Sequence, residues 1–223
     1  MRMHKKSRLE ERLEACGDIV TTANLSDKNM KRASADKEYL PLEAIFGNDN
    51  PVRLEVGCGK GKFVCETAKL NPRTNFIACE KISNVLIEAL ERAKEEKIRN
   101  VYFLNCAAEV LEKYFKEGSV ELIYLNFSNP LPKEGYKKQR LTHPRFLEIY
   151  KKILKKGGCI IQKTDDKAFY EFSRQSFEEA GFKIAEVCED LAANPVAGDV
   201  ETEHEKRFKE AGKKIYRIRA EVK

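Results

Sequence analysis

"VRLEVGCGKGKFVCETAKL", residues 52–70, is the stretch on which the fold turns. "VRLEV" reads as a strand, Gly57, Gly59 and Gly61 interrupt it, and "KFVCETAKL" reads as a helix. A strand, a glycine turn and a helix form the opening unit of a nucleotide-binding α/β sheet. Glycine lets the backbone turn sharply and approach a ligand closely, while the helix N-terminus points at any negative group. Alone the pattern is weak, because a tight strand–helix turn needs no ligand.

The same alternation continues outward. "NFIACE", "VYFLNC", "VELIYLNF" and "CIIQKT" read as further strands, and "FKIAEVCED" and "KIYRIRAEV" as the final two. "SNVLIEALERAKEEK" keeps Val85, Leu86, Ala89, Leu90 and Ala93 on one helical face. "RFLEIYKKILKKGG" is a helix closed by glycines, and "KAFYEFSRQSFEEAG" places Phe169, Phe172, Ser176, Phe177 and Ala180 near one face. Such alternation specifies a mostly parallel, Rossmann-like sheet of seven strands with helices on both faces. Residues 51–223 form one α/β domain in this reading, and residues 1–50 are a polar extension with a basic cluster at Arg2, Lys5, Lys6 and Arg8.

Composition sets the outer limits. The 223-residue chain is 42% hydrophobic, enough for a core, and its net charge is +6, carried in local basic clusters. Its seven cysteines include no CxxC pair, which fits a reducing cytosol better than a disulfide framework or zinc site. His4, His143 and His204 have no metal-ligand spacing. No apolar run approaches a membrane span, and the N-terminus has no signal-peptide core, so a cytoplasmic protein is expected.

Ligands of open α/β sheets sit beyond the carboxyl ends of the strands, where strand order reverses. Glu55 stands two residues before the first glycine, and Glu80 closes the second strand, where a carboxylate can accept both ribose hydroxyl protons. After strand three, Asn105 and the backbone near Ala107 would face an adenine edge. NAD and S-adenosylmethionine both satisfy these positions. Three features favour the methyl donor. Lys62 occupies the place of the last glycine of a pyrophosphate loop, Glu55 would repel a pyrophosphate yet suit an ammonium, and the chain ends in a strand–loop–strand pair. A class I S-adenosylmethionine-dependent methyltransferase sheet ends in such a pair, with its last strand antiparallel.

The fourth strand runs into "NFSNPLPKEGYKKQRLTHPRF", residues 126–146, which should meet the methyl acceptor. Here "FGNDNPVRLEVGCGKG", "YLNFSNPLPK", "KKQRLTHPRFL", "KTDD" and "TEHEKRFKEAGKKIYR" resemble the tRNA (guanine-N7)-methyltransferase (TrmB) family over nearly the whole chain. The resemblance implies methylation of a variable-loop guanosine of tRNA at N7, with S-adenosylmethionine as cofactor. It places Glu55, Glu80, Ala107 and Asn129 on the family's cofactor positions, beside the Gly57 and Gly59 turn. Lys133, Asp165 and the segment Thr202, Glu203, His204 and Glu205 fall on its substrate positions, and Asn129 is the candidate catalytic residue.

Four positions depart from the family pattern. The D-P-W-P-K motif reads "NPLPK", so Asn129 replaces its acid and Leu131 its tryptophan; Ala107 replaces an acid, and His204 a tyrosine. Guanine N7 carries an in-plane lone pair and no proton, so transfer needs alignment and tolerance of a cationic base rather than a general base. Asn129 keeps the shape of an aspartate without its field, Leu131 removes a stacking surface worth about 1–3 kcal/mol, and Ala107 removes a hydrogen bond. A diverged tRNA- or donor-binding relative with little turnover is the alternative reading. "NPLP" also resembles the N-P-P-aromatic motif of exocyclic-amine methyltransferases, but Pro132 stands where the aromatic belongs.

Lys133, Lys137, Lys138, Arg140 and Arg145 would contact tRNA phosphates, which supply affinity and position rather than sequence choice. Thr202 and Glu205 also spell a helix capping box, and Asp165 and Asp166 can cap the helix that follows. A monomer or a homodimer is compatible with the sequence.

Overall fold

The computed structural model describes residues 6–22 and 36–223. It shows one sheet of eight strands, β1 (Val20–Thr22), β2 (Val52–Val56), β3 (Asn75–Cys79), β4 (Val101–Asn105), β5 (Val120–Asn126), β6 (Leu154–Thr164), β7 (Lys183–Cys188) and β8 (Tyr216–Glu221). Their order across the sheet is β1-β4-β3-β2-β5-β6-β8-β7. The pairings from β1 through β6 are parallel, and β8 runs antiparallel between β6 and β7.

Eight strands, not seven, is a correction. The additional one, β1, comes from the N-terminal extension and pairs with β4 through Val20, Thr21 and Thr22. Three residues carry too little periodicity to stand out, and the edge of β4 is what orders them. The extension also supplies α1 (Leu9–Glu14), held on α4 (Ser83–Glu95) by a bidentate Arg12–Glu91 pair at 2.7 and 2.6 Å.

The remaining helices in chain order are α2 (Leu42–Phe46), α3 (Lys62–Leu70), α5 (Leu111–Tyr114), α6 (Pro144–Ile153), α7 (Lys167–Glu179) and α8 (Glu203–Glu210). α3 and α4 cover one face, where Phe63, Val64, Leu86, Ile87 and Leu90 pack on Phe76, Ala78 and Phe103. α6 and α7 cover the other, where Phe146, Tyr150 and Phe177 pack on Leu54, Ile77 and Ile123. The alternation of Leu54 and Val56 with Glu55 along β2 assigns neighbouring side chains to opposite faces.

The expected helix closed by glycines ends earlier, at Ile153, and Gly157 and Gly158 lie inside β6. They serve an irregular pairing with β5, in which Val120 faces Leu154 but Leu122 faces Cys159. A Cβ on Gly158 would lie 2.8 Å from the Lys155 carbonyl oxygen and 3.0 Å from that of Glu121. Gly158 therefore permits close backbone approach and Gly157 supplies a left-handed φ of 72°, rather than terminating a helix.

Candidate active site at the switch point of the sheet

Strand order reverses at β2, whose neighbours are β3 and β5. The loops leaving β2 and β5 diverge there and open a crevice. It holds two adjoining cavities. The first, about 640 Å³, is lined by Gly57, Glu80, Ile82, Cys106, Ala108, Asn129, Leu131 and Phe146 among others. The second, about 430 Å³, is lined by Glu55, Gly57, Gly59, Asn126, Thr202, Glu203, His204 and Arg207 among others. Gly57 and Phe127 border both.

The glycine turn is already bonded internally. Gly57 and Cys58 donate N–H to the Cys79 carbonyl at 2.8 and 3.0 Å, Gly59 to Glu80 Oε2 at 3.3 Å, and Gly61 to the Cys58 carbonyl at 3.0 Å. These amides are therefore not free to cradle a pyrophosphate, which separates the turn from a dinucleotide loop. Cβ atoms on Gly57 or Gly59 would meet open space, so the turn faces the cavities with bare backbone. Gly61 has a different duty: at φ 76° its Cβ would sit 2.5 Å from Cβ of Ala89, so it brings α3 against α4.

Glu55 is buried at the end of β2, and its carboxyl is pushed up to about 7, chiefly by burial. Asn126 donates to Oε1 at 3.0 Å and Lys163 lies near enough to oppose that shift. Oε2 of Glu55, Oδ1 of Asn126 and Oγ of Ser128 are buried without a hydrogen-bond partner. Such a set of acceptors beside bare backbone fits a ligand ammonium.

Glu80 accepts from Gly59 N–H through Oε2 and from Ile82 N–H, at 2.9 Å, through Oε1. Both oxygens keep a second lone pair for hydroxyl donors on the side of the larger cavity. The larger cavity's walls are otherwise mainly apolar, from Val56, Ile82, Cys79, Cys106 and Phe146. Burial raises the Cys58 thiol, and the hydrogen bond with Cys106 followed by burial raises that of Cys79, both well above their usual range, which holds them protonated.

The expected residues separate into two groups. Glu55, Gly57, Gly59, Glu80, Asn129, Thr202, Glu203 and His204 converge on the cavities. Asn105 does not line them: its Nδ2 donates to the Glu80 carbonyl and its Oδ1 accepts from Ser83, so it braces the loop behind the acid. Ala107 stands half-buried between two lining residues, Cys106 and Ala108. Asp165 pairs with Lys213 at 3.1 Å, and Lys133 is exposed on the 134–139 turn; neither lines a cavity. Glu205 is buried and completes the capping box with Thr202. Asp166 caps α7 by accepting from Phe169 N–H at 2.7 Å.

Phe127 and Lys163 carry parts of the site that the spacing of motifs does not reveal. Phe127 adopts φ 47° and joins His204 and Phe208 in a three-ring cluster, stacked on His204 at a centroid distance of 5.7 Å and tilted against Phe208 at 5.6 Å, as the wall shared by both cavities. Its backbone strain at such a place is a local sign of function, legible only in three dimensions. Burial and the nearby Arg207 guanidinium lower the His204 imidazole, favouring its neutral form beside the wall.

The basic elements are partly neutralised. Lys137 pairs with Glu134 at 3.2 Å and Arg145 with Glu109 at 2.8 Å, while Lys133 and Lys138 have no ion pair among the described residues. In the extension, Lys6 pairs with Glu88 and Arg8 with Glu11; Arg2 and Lys5 lie outside the described residues. All seven cysteines are free thiols. Among the described residues no group of three or more metal-ligating side chains is assembled, and no helix is long and apolar enough to cross a membrane.

Comparison with known proteins matches this geometry. The family model described as "Putative methyltransferase" matches residues 49–218. A tRNA (guanine-N(7)-)-methyltransferase of Geobacillus sp. (strain WCH70) is 45% identical over 173 residues, covering 78% of this chain and 79% of its own. One from Streptococcus thermophilus (strain CNRZ 1066) is 44% identical over 179 residues, covering 80% and 84%. Among solved structures, the 16S rRNA methyltransferase KamB superposes with a TM-score of 0.63 at 17% identity over 83% of this chain and 95% of its own, a likeness of fold. By its sequence identity, its fold and the acids set around its glycine turn, the chain belongs to the tRNA (guanine-N7)-methyltransferase family.

Proposed function

We propose that this protein transfers a methyl group from S-adenosylmethionine to N7 of a guanosine in the variable loop of tRNA. The observation that carries the reading is the pair of cavities at the switch point, with a half-bonded buried Glu55 in one and Asn129 bordering the other. Residues 51–223 act as the methyltransferase unit, residues 1–50 as its extension, and the cytoplasm is the place of action.

S-adenosylmethionine, when bound, supplies an electrophilic methyl group on a sulfonium. Glu55 and Asn126 would hold the ammonium of its amino acid portion through the unpartnered oxygens, and Glu80 would accept its ribose hydroxyls. The apolar walls formed by Ile82, Cys106, Ala108 and Phe146 would take an adenine ring. Guanine N7 offers an in-plane lone pair and carries no proton, so no side chain would have to remove one as the methyl–sulfur bond gave way to a methyl–nitrogen bond and its electron pair left on the sulfur. The chain's task is alignment and exclusion of water. Asn129 borders the larger cavity, where its neutral amide, turned to Leu131 N–H, would sit beside the base as it becomes cationic, and Thr202, Glu203 and His204 line the acceptor side. Lys133 and Lys138, unpaired among the described residues, are the strongest candidates for phosphate contact.

The test is incubation of the protein with labelled donor and unmodified tRNA, followed by nuclease digestion and nucleoside mass analysis. The expected product is 7-methylguanosine. No methylation above a no-enzyme control would overturn the reading, and a methyl group on an exocyclic nitrogen would redirect it to amine chemistry.

A further inference from the structure

Lys163 is the most deeply buried cation among the described residues, with a side-chain exposure of 1%. It stands near the end of β6, opposite Asn126 of β5. Its ammonium meets Asp199 at 2.5 Å, Glu205 at 2.9 Å and the Val200 carbonyl at 3.0 Å. All three acceptors belong to the excursion between β7 and β8 that carries Thr202, Glu203 and His204 to the rim of the second cavity. Glu205 has no access to a ligand, being 1% exposed. Its Oε2 accepts from Lys163 and from Thr202 N–H, and its Oε1 pairs with Lys209 at 3.1 Å. One carboxylate therefore joins the capping box of α8 to the sheet.

We infer that Lys163 is a positioning residue, an electrostatic latch that fastens the 199–205 segment to the sheet and so sets the geometry of the acceptor-facing residues. The inference rests on the proposed acceptor chemistry for its kinetic consequence, and it moves Glu205 from acceptor contact to counter-ion. A buried charge cluster of this kind is poor at adding net stability but strong at choosing one arrangement, because any other leaves charges buried and unpaired. Beyond this cluster the excursion has few ties, the packing of Val200 at the edge of the core and the exposed Lys213–Asp165 pair among them; α8 buries only Glu205, and residues 192–195 are exposed. Aromatic contacts from His204 and Phe208 to Phe127 add another tie, at 5.7 and 5.6 Å. They cover the rim but do not fix the position of Thr202.

Lys163→Met keeps the stem and removes the charge. The expected result is an increase of about tenfold or more in KM for tRNA, with kcat at saturating tRNA and saturating donor within about threefold of wild type; donor affinity falls by less than tRNA affinity, through the lost field of Lys163 on Glu55. Limited proteolysis should cut this variant within 191–214 while the wild type resists, and addition of tRNA should slow that cut. Lys163→Arg, which keeps the charge, should restore most of the acceptor affinity. If Lys163→Met does not fold, Glu205→Gln provides the same comparison, because an amide can still accept the capping hydrogen bond. Unchanged KM and unchanged protease resistance would overturn the latch, as would a loss of kcat at saturating donor and of thermal midpoint as large as the loss in tRNA affinity. The proteolysis of the free protein needs no acceptor, so the latch can fail while methylation of tRNA stands, and the reverse.

Discussion

Asn126 donates its amide to one oxygen of Glu55 at 3.0 Å and leaves the other oxygen of that buried carboxylate with no partner. The two residues lie 71 positions apart, at the ends of adjacent parallel strands. An acceptor half satisfied in a dry site is costly alone and gains on meeting a donor. It is therefore a poised contact for an ammonium, and its behaviour with pH is a direct test.

The Glu55 carboxyl lies at about 7 in the folded chain against 4.5 as its ordinary value. It stays protonated in the folded state while the unfolded chain ionises, so the stability it contributes is present below about pH 4.5 and falls as pH rises toward 7. Glu55→Gln should raise stability by roughly 1–3 kcal/mol at pH 8 with little effect at pH 4, by denaturant titration. Donor affinity should strengthen from pH 6 to 8 in the wild type, as the carboxylate forms, and show no such dependence in Glu55→Gln. A calorimetric titration at both pH values decides it.

Asn129 accepts from Leu131 N–H at 3.1 Å, a bond that holds Leu131 at φ 46°. An aspartate can accept the same bond, so Asn129→Asp adds charge without disturbing the turn. Single-turnover methylation should accelerate by about tenfold, the effect of roughly 1.4 kcal/mol on a cationic transition state. A rate at or below that of the wild type would show that residue 129 does not sense the reacting base.

Gly61→Ala should be severely destabilising, by about 3 kcal/mol or more, because it combines a left-handed φ with a Cβ placed against Ala89. Gly59→Ala meets only the cost of its φ and should lose about 1–2 kcal/mol. Denaturant midpoints of the two variants separate helix packing from turn geometry; equal losses would refute the distinction.

Replacing both Lys133 and Lys138 by alanine should weaken tRNA binding and reduce the slope of log affinity against log salt by about 2, near one for each phosphate that is no longer neutralised. Lys137→Ala should change the slope less, since its ammonium already faces Glu134. Filter binding across a salt series provides the measurement, and an unaltered slope would place the phosphates elsewhere.

How far the sequence can be read depends on the range of each interaction. The expected strand before Gly57 and helix after Gly61 coincide with β2 and α3, and T-x-x-E forms its capping box, because periodicity and capping act within one or two turns of chain. The glycines at 157 and 158 mislead, since the same residues suit a helix stop and an irregular strand pairing. Asn105 reads as a ligand contact, yet its side chain bonds to Glu80 and Ser83.

By itself the sequence determined the α/β alternation, the glycine turn and the placing of Glu55 and Glu80 at strand ends, all of them written in neighbouring residues. Only the tertiary structure decided that a three-residue strand joins β4, that Asn126 meets Glu55, and that Lys163 ties down a segment some 40 positions away. The physical reason is burial: a carboxylate or an ammonium acquires a specific partner only once folding has taken water from both, and the sequence does not show which groups will share that loss.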